Sequence, residues 1–298
     1  MQYRRDNLKK NIAYEFMLLP ALALYAAFCL YPFITTFYYS ITDYTNINLT
    51  NLKFVGVSNF VEALNNDLLR SSIKNSLIYA VLMTVFQTVL AIPLAVILDK
   101  NLKTKNFLRM IFFMPAVFSS LVIGYLWNFI MSTSDSGLIN NLLGSIGIGP
   151  VNFLGDGKIA LYSVVLTQLW QWTGWAMVIV LANLQSISKE FYEAAEIDGA
   201  NSWQSFLKIT LPMLNPSVTV VTVTAMIGGL KVFDIIFALT QGGPGYATET
   251  IMTAMMKKAF TDGYYAVGSA FGVIFFAIVM VITIIMMKLL GKWEEKLK

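Results

Sequence analysis

Six stretches of this chain are long, apolar and almost free of charge, and they decide its class of fold before any other feature is weighed. Crossing a hydrocarbon layer of about 30 Å takes roughly 20 helical residues. Five runs meet that length without interruption, at residues 16–39, 76–98, 110–131, 159–184 and 263–287. A sixth, 213–239, is interrupted near one end by Lys231 and Asp234. Only 13% of the chain is charged and 57% is hydrophobic, whereas a soluble domain carries about 25% charge. The expectation is an all-α membrane protein with six transmembrane helices.

Absences narrow the chemistry. The chain has no His and a single Cys, Cys29, which excludes HExxH zinc sites, His-ligated haem, His-based triads, disulfide frameworks and thiolate clusters. No metal site and no cofactor is expected, and no catalytic residue stands out. Gly155-Asp156-Gly157-Lys158 lacks the earlier glycine and the Ser or Thr of a phosphate-binding loop, so the chain has no nucleotide cradle of its own.

The first apolar run follows Arg4, Arg5, Lys9 and Lys10 and contains Ala21-Leu22-Ala23, which imitates a cleavable signal. It continues well beyond the roughly 7 to 15 apolar residues of such a signal, so an uncleaved helix bent near Pro20 or Pro32 is expected. With six spans, one side receives fourteen basic residues: the four just named, Lys100, Lys103, Lys105, Arg109, Lys189, Lys208, Lys288, Lys292, Lys296 and Lys298. The other receives six: Lys53, Arg70, Lys74, Lys158, Lys257 and Lys258. The excess of positive charge on inner loops puts both termini in the cytoplasm. On the outer side, Val57-Ser58-Asn59-Phe60 opens an amphipathic run read as an interfacial helix capped by Ser58.

The inner loop between spans four and five breaks the pattern by being acidic. Glu190, Glu193, Glu196 and Asp198 outnumber Lys189 and Lys208 there. Ser188 suits an N-cap, acids fill the first turn, and Gly199 suits the left-handed position that ends a helix. Ser202 then offers a second start, followed by Trp203, Phe206 and Leu207 on one stripe before Leu211-Pro212. Two short helices at an angle result. On physics alone they are read as an interfacial connector between spans.

Glu193-Ala194-Ala195, Asp198-Gly199-Ala200, Ile209, Leu211-Pro212 and Pro216 together resemble the EAA loop of the membrane subunits of bacterial ABC importers. Phe233 to Pro244, with its Gly242-Gly243-Pro244 core, resembles the segment after span five in the sugar-importing branch, in the subunit equivalent to the larger maltose permease. The resemblance covers about residues 14–290, without that subunit's extra N-terminal spans and large outer domain. It implies a cytoplasmic segment 1–15, a type I importer permease domain 16–290 with its EAA loop at 188–216, and a cytoplasmic tail 291–298. It implies a multi-pass protein of the bacterial or archaeal cytoplasmic membrane. The implied partners are a second permease in a heterodimer, two ATP-binding subunits, an extracytoplasmic sugar-binding protein, the sugar (an oligosaccharide) and lipid, with no nucleic acid among them. ATP hydrolysis then belongs to a partner, and Glu193, Ala194, Ala195, Asp198, Gly199 and Ala200 form the coupling contact.

For the sugar pathway, Gln168, Gln171, Trp172 and Trp175 fall at i, i+3, i+4 and i+7 and so share one helical face. The resemblance aligns this face with the sugar-contacting helix of the maltose subunit, and it sets Ala225, Gly228 and Gly229 opposite. Those three replace a hydroxyl, an aromatic and an amide, a departure that puts maltose specificity in doubt. Tryptophan belts and close glycine packing are the structural alternatives at these positions. Lys231 and Asp234, three apart, are expected to pair on one helical face, and Gln87 and Asn128 to bond between helices. An ion-driven sugar transporter and an intramembrane enzyme are the competing classes. Against them stand the lack of an internal repeat, of a carboxylate relay and of a nucleophile with its base.

Overall fold

The structure, a computed structural model, describes residues 17–134 and 137–297, with side chains as far as residue 292. The expected N-terminal segment 1–15 lies outside the described residues. Helices account for the architecture: apart from an isolated bridge between Thr42 and Phe54, no β pairing occurs among the described residues. Among the described residues, four helices are long and apolar enough to cross a membrane, and the number rises to six if each of two bent pairs, Lys105–Val117 with Ser120–Ile130 and Ser202–Met213 with Asn215–Leu230, is one span.

The chain divides into two compact units. The first comprises the described part of Met1–Asn65 together with Met255–Ile274. It contains α1 (Met17–Ser40), α2 (Ser58–Asn65) and the start of the last helix. A π-helical turn, Ala26–Leu30, interrupts α1 just before Pro32. Proline has no N–H to give the carbonyl four residues back and its ring crowds that carbonyl, so the widened turn falls where the bonding is lost. Helix α2 starts at Ser58 itself, so Ser58 is its first residue and not its cap. It is held by the Asn59 amide, which donates to the carbonyls of Ser40 and Thr42, both at 2.8 Å.

The second unit comprises Asn66–Ala254 and the segment from Phe275 onward. Its long elements are α3 (Asp67–Asp99), α4 (Lys105–Phe113), α5 (Ser120–Ile130), α6 (Leu138–Ser145) and α7 (Ala160–Leu184). Helix α8 (Glu190–Ile197) and α9 (Ser202–Met213) lead into α10 (Asn215–Leu230). Short α11 (Asp234–Leu239) and α12 (Ile251–Met256) precede α13 (Tyr265–Leu297), which runs on through both units, so the stretch expected as a tail is helical to Leu297.

Asn66 caps α3 by accepting from the Leu68 N–H at 2.9 Å. Helices α3 and α7 then lie together along two apolar clusters. In one, Tyr79 and Met83 meet Ile123, Val164, Leu169, Ile235 and Leu239, drawn from α3, α5, α7 and α11. In the other, Ala91, Ala95 and Leu98 meet Met177, Val180, Leu184, Leu214 and Val221, drawn from α3, α7, the junction of α9 with α10, and α10. Small residues let these helices approach, as they must where lipid supplies no hydrophobic drive between them.

Two expected spans are not continuous. The third breaks between α4 and α5, where the pair Lys105–Val117 and Ser120–Ile130 bends by 100°. Pro115 sits in a 3-10 turn there, and Ser119 caps the new helix through the Leu121 N–H. A proline followed by Ser-Ser gave the sequence signal, which hydropathy alone conceals. The fifth ends at Leu230 directly after Gly228-Gly229. A non-helical link, 231–233, separates it from α11, and Asp234 opens that new helix. Lys231 and Asp234 therefore do not share a helical face, and among the described residues they form no ion pair within 4 Å.

Candidate functional site

The second unit holds a cavity of about 300 Å³, within the usual size of a small-molecule site. Helix α7 supplies Gln168, Trp172 and Trp175, and α10 supplies Thr224, Ala225, Gly228 and Gly229. Tyr79, Met83 and Gln87 from α3 and Ser120 from the start of α5 complete the wall, with Lys231 to Ile235 at the break after α10. Trp172 and Trp175 meet edge to face with centroids 6.4 Å apart, so the two flat surfaces are turned at a right angle.

Six of the seven residues expected on the pathway line this cavity, and Gln171 does not. Gln171 is fully buried because its position on α7 faces the break between α4 and α5. Its amide donates to the Phe118 carbonyl at 3.0 Å, and its Oε1 accepts from Gln168 Nε2 at 2.9 Å. The Phe118 carbonyl lies outside the helical ladder and needs a donor, which draws the Gln171 side chain away from the cavity. The four-residue face expected from helical periodicity is thus divided between a lining set and a supporting residue.

The two glycines also separate. A β-carbon on Gly229 would lie 2.7 Å from the Ala80 Cα, whereas one on Gly228 would meet nothing within 4 Å. Gly229 permits the approach of α10 to α3, and Gly228 leaves cavity volume. Gln87 donates to the Trp172 carbonyl at 3.1 Å and Asn128 to the Leu239 carbonyl at 3.1 Å, the interhelical bonds expected of both. Tyr79, Ser120 and Thr224 are lining residues that sequence reading missed; an isolated tyrosine in an apolar span was the available signal at Tyr79.

The loop after α7 forms two helices, α8 and α9, separated by the non-helical link 198–201. Helix α8 ends in a left-handed Gly199 at φ +79°, with the Ala200 N–H bonding the Ala195 carbonyl at 2.9 Å and the Gly199 N–H bonding that of Glu196 at 3.1 Å. This is the Schellman arrangement expected of a C′ glycine. The next helix is capped by Asn201 and not by Ser202: the Asn201 side chain accepts from the Gln204 N–H, and Gln204 returns a bond to the Asn201 N–H. The capping box is better than the hydroxyl one residue later. Tyr192 Oη and Thr210 Oγ1, 3.0 Å apart, tie α8 to α9. Glu193, Ala194, Asp198 and Gly199 are exposed, while Ala195 and Ala200 are half-buried. Ile197 is 87% and Trp203 66% exposed, an apolar surface on the loop that none of the described residues covers.

Residues 68–296 match the model of the binding-protein-dependent transport system inner membrane component. This chain belongs to that family. The membership of this inner membrane component assigns it to transport and sets aside the intramembrane enzyme. The trehalose/maltose transport system permease protein MalF of Thermococcus litoralis is 33% identical over 95% of this chain and 97% of its own length. The arabinooligosaccharides transport system permease protein AraP of Bacillus subtilis is 31% identical over 96% of this chain and 90% of its own. A subunit of a bacterial ABC transporter involved in the import of the acidic polysaccharide alginate shares the fold, with a TM-score of 0.85 over 96% of this chain and 98% of that one, at 24% identity.

Proposed function

We propose that this chain is one of two membrane-spanning subunits of an ATP-driven, binding-protein-dependent sugar importer. It forms half of the translocation pathway in six spans, with the bent pair α4–α5 as the third and α10 in the fifth, and both termini in the cytoplasm. An oligosaccharide is the substrate class. The observation that carries this reading is a cavity walled by two tryptophans, glutamine amides and hydroxyls inside a family member whose relatives are named for trehalose, maltose and arabinooligosaccharide transport. Flat apolar surface beside amide and hydroxyl groups suits sugar rings.

The 188–216 loop supports the coupling role. Its exposed apolar residues and acids, on a helix ended by a fixed left-handed glycine, fit a rigid handle for an ATPase subunit, and Glu193 and Asp198 supply polar contacts. Closure of two ATPase subunits on ATP would shift this handle and rock the two permeases between inward- and outward-open states, a rigid-body switch. An extracytoplasmic binding protein would deliver the sugar.

The test is to tag the chain, solubilise native membranes in mild detergent and identify what co-purifies by mass spectrometry. A second permease and a P-loop ATPase are expected. Recovery of the chain alone, with sugar uptake following an ion gradient, would refute the proposal.

A further inference from the structure

Two residues of the cavity wall have ionisable side chains, Lys231 and Asp234, one basic and one acidic. Both are exposed, and no ion pair within 4 Å joins them among the described residues. The break after α10 produces this arrangement: Lys231 follows the last residue of one helix and Asp234 opens the next, so the pair is not set in the i, i+3 contact that a continuous helix would give. Resting on the sugar-importer reading, we propose that this cavity selects an uncharged, hydroxyl-rich ligand and that the balance of Lys231 against Asp234 sets that preference.

The physical argument is one of balance. A uronate drawn toward Lys231 is repelled by Asp234, and an amino sugar drawn toward Asp234 is repelled by Lys231. Either ligand must give up its own hydration on entering, and the opposed pair returns little for it. A neutral ring escapes this conflict, because a hydroxyl both donates and accepts: it can accept from the Lys231 ammonium and donate to the Asp234 carboxylate. The other polar groups of the wall, among them Gln87, Ser120, Gln168 and Thr224, are also uncharged. Discrimination by a repelling group as well as an attracting one is the usual route to specificity.

The experiment uses the assembled permease–ATPase complex without its binding protein, so that the cavity alone discriminates. Equilibrium dialysis would compare radiolabelled maltotriose, cellotriose and raffinose with trigalacturonate and fully deacetylated chitotriose. At least one neutral trisaccharide is expected to bind tenfold or more tightly than either charged one. Asp234→Asn should move the ratio at least tenfold toward trigalacturonate, Lys231→Gln the same amount toward chitotriose, and the double variant should restore the neutral preference. Should one single variant fail to assemble, the reciprocal one carries the test. Tighter binding of a charged trisaccharide by the wild type, or unmoved ratios in the single variants, would overturn the inference while leaving the sugar reading intact. If no trisaccharide binds a complex that assembles and hydrolyses ATP, the sugar reading itself falls.

Discussion

The Gln168 side chain donates to Gln171 Oε1 at 2.9 Å, and Gln171 in turn donates to the Phe118 carbonyl. Of two amides three residues apart on one helix, one therefore faces the cavity and the other braces the 100° bend between α4 and α5. Gln171→Leu should lower the apparent melting temperature of the detergent-solubilised complex, because it strands a buried carbonyl at a cost of about 1–3 kcal/mol. Gln168→Ala leaves Gln171 Oε1 with the Ser120 hydroxyl as a donor at 3.4 Å, so it should lower that temperature less than Gln171→Leu does and reduce sugar uptake. A reversed pattern, with Gln168→Ala the destabilising change, would contradict this division of roles.

Gly228 and Gly229 are neighbours with opposite surroundings. Gly229→Val drives a side chain into the backbone at Ala80 and should destabilise the α3–α10 contact by about 1–3 kcal/mol, the usual range for overpacking. Gly228→Ala meets open space, so the protein should assemble normally while the cavity narrows. Thermal unfolding read alongside uptake of the transported sugar separates the two: loss of stability at Gly228 and none at Gly229 would show that the packing assignment is inverted.

Much of this architecture was legible in the sequence, and the failures share a cause. Apolar runs locate helices because unsatisfied backbone is intolerable in lipid, and Gly199 announced its left-handed turn because only a residue without a β-carbon adopts it freely. Hydropathy is blind to direction, so it joined α4 to α5 across Pro115 and Ser119 and ran α10 on through Lys231. The helical face of α7 was readable by periodicity, but which of its residues would turn toward Phe118 depended on a carbonyl freed fifty positions away in the chain. The cavity's contributions from α3, Tyr79 and Gln87, needed the packing of three helices to become visible.

Tyr79 tests how the cavity wall is stabilised. Its ring belongs to the apolar cluster shared by α3, α5, α7 and α11, yet its hydroxyl is buried with no hydrogen-bond partner among the described residues. A buried, unsatisfied hydroxyl costs roughly 1–3 kcal/mol. Tyr79→Phe keeps the ring and removes that cost, so the variant's apparent melting temperature should equal or exceed the wild type's. Tyr79→Ala should lower it sharply through the cavity left in the cluster. A clear loss of stability in Tyr79→Phe would mean that the hydroxyl has a partner, an ordered water being the simplest.

Gly199 separates conformational from steric demand on the coupling loop. A β-carbon there would touch nothing within 4 Å, while φ is +79°, so any substitution is penalised by backbone conformation and not by crowding. Gly199→Asn should retain most transport, because asparagine visits the left-handed region readily. Gly199→Val should leave the protein in the membrane with its partners but separate ATP hydrolysis from uptake, since a β-branched residue is an outlier at positive φ. The decisive comparison is moles of sugar imported per ATP hydrolysed in proteoliposomes. Equal ratios for the valine variant and the wild type would show that the angle set by Gly199 is irrelevant to coupling, whereas equal losses for asparagine and valine would point to a partner surface that excludes any side chain at this position.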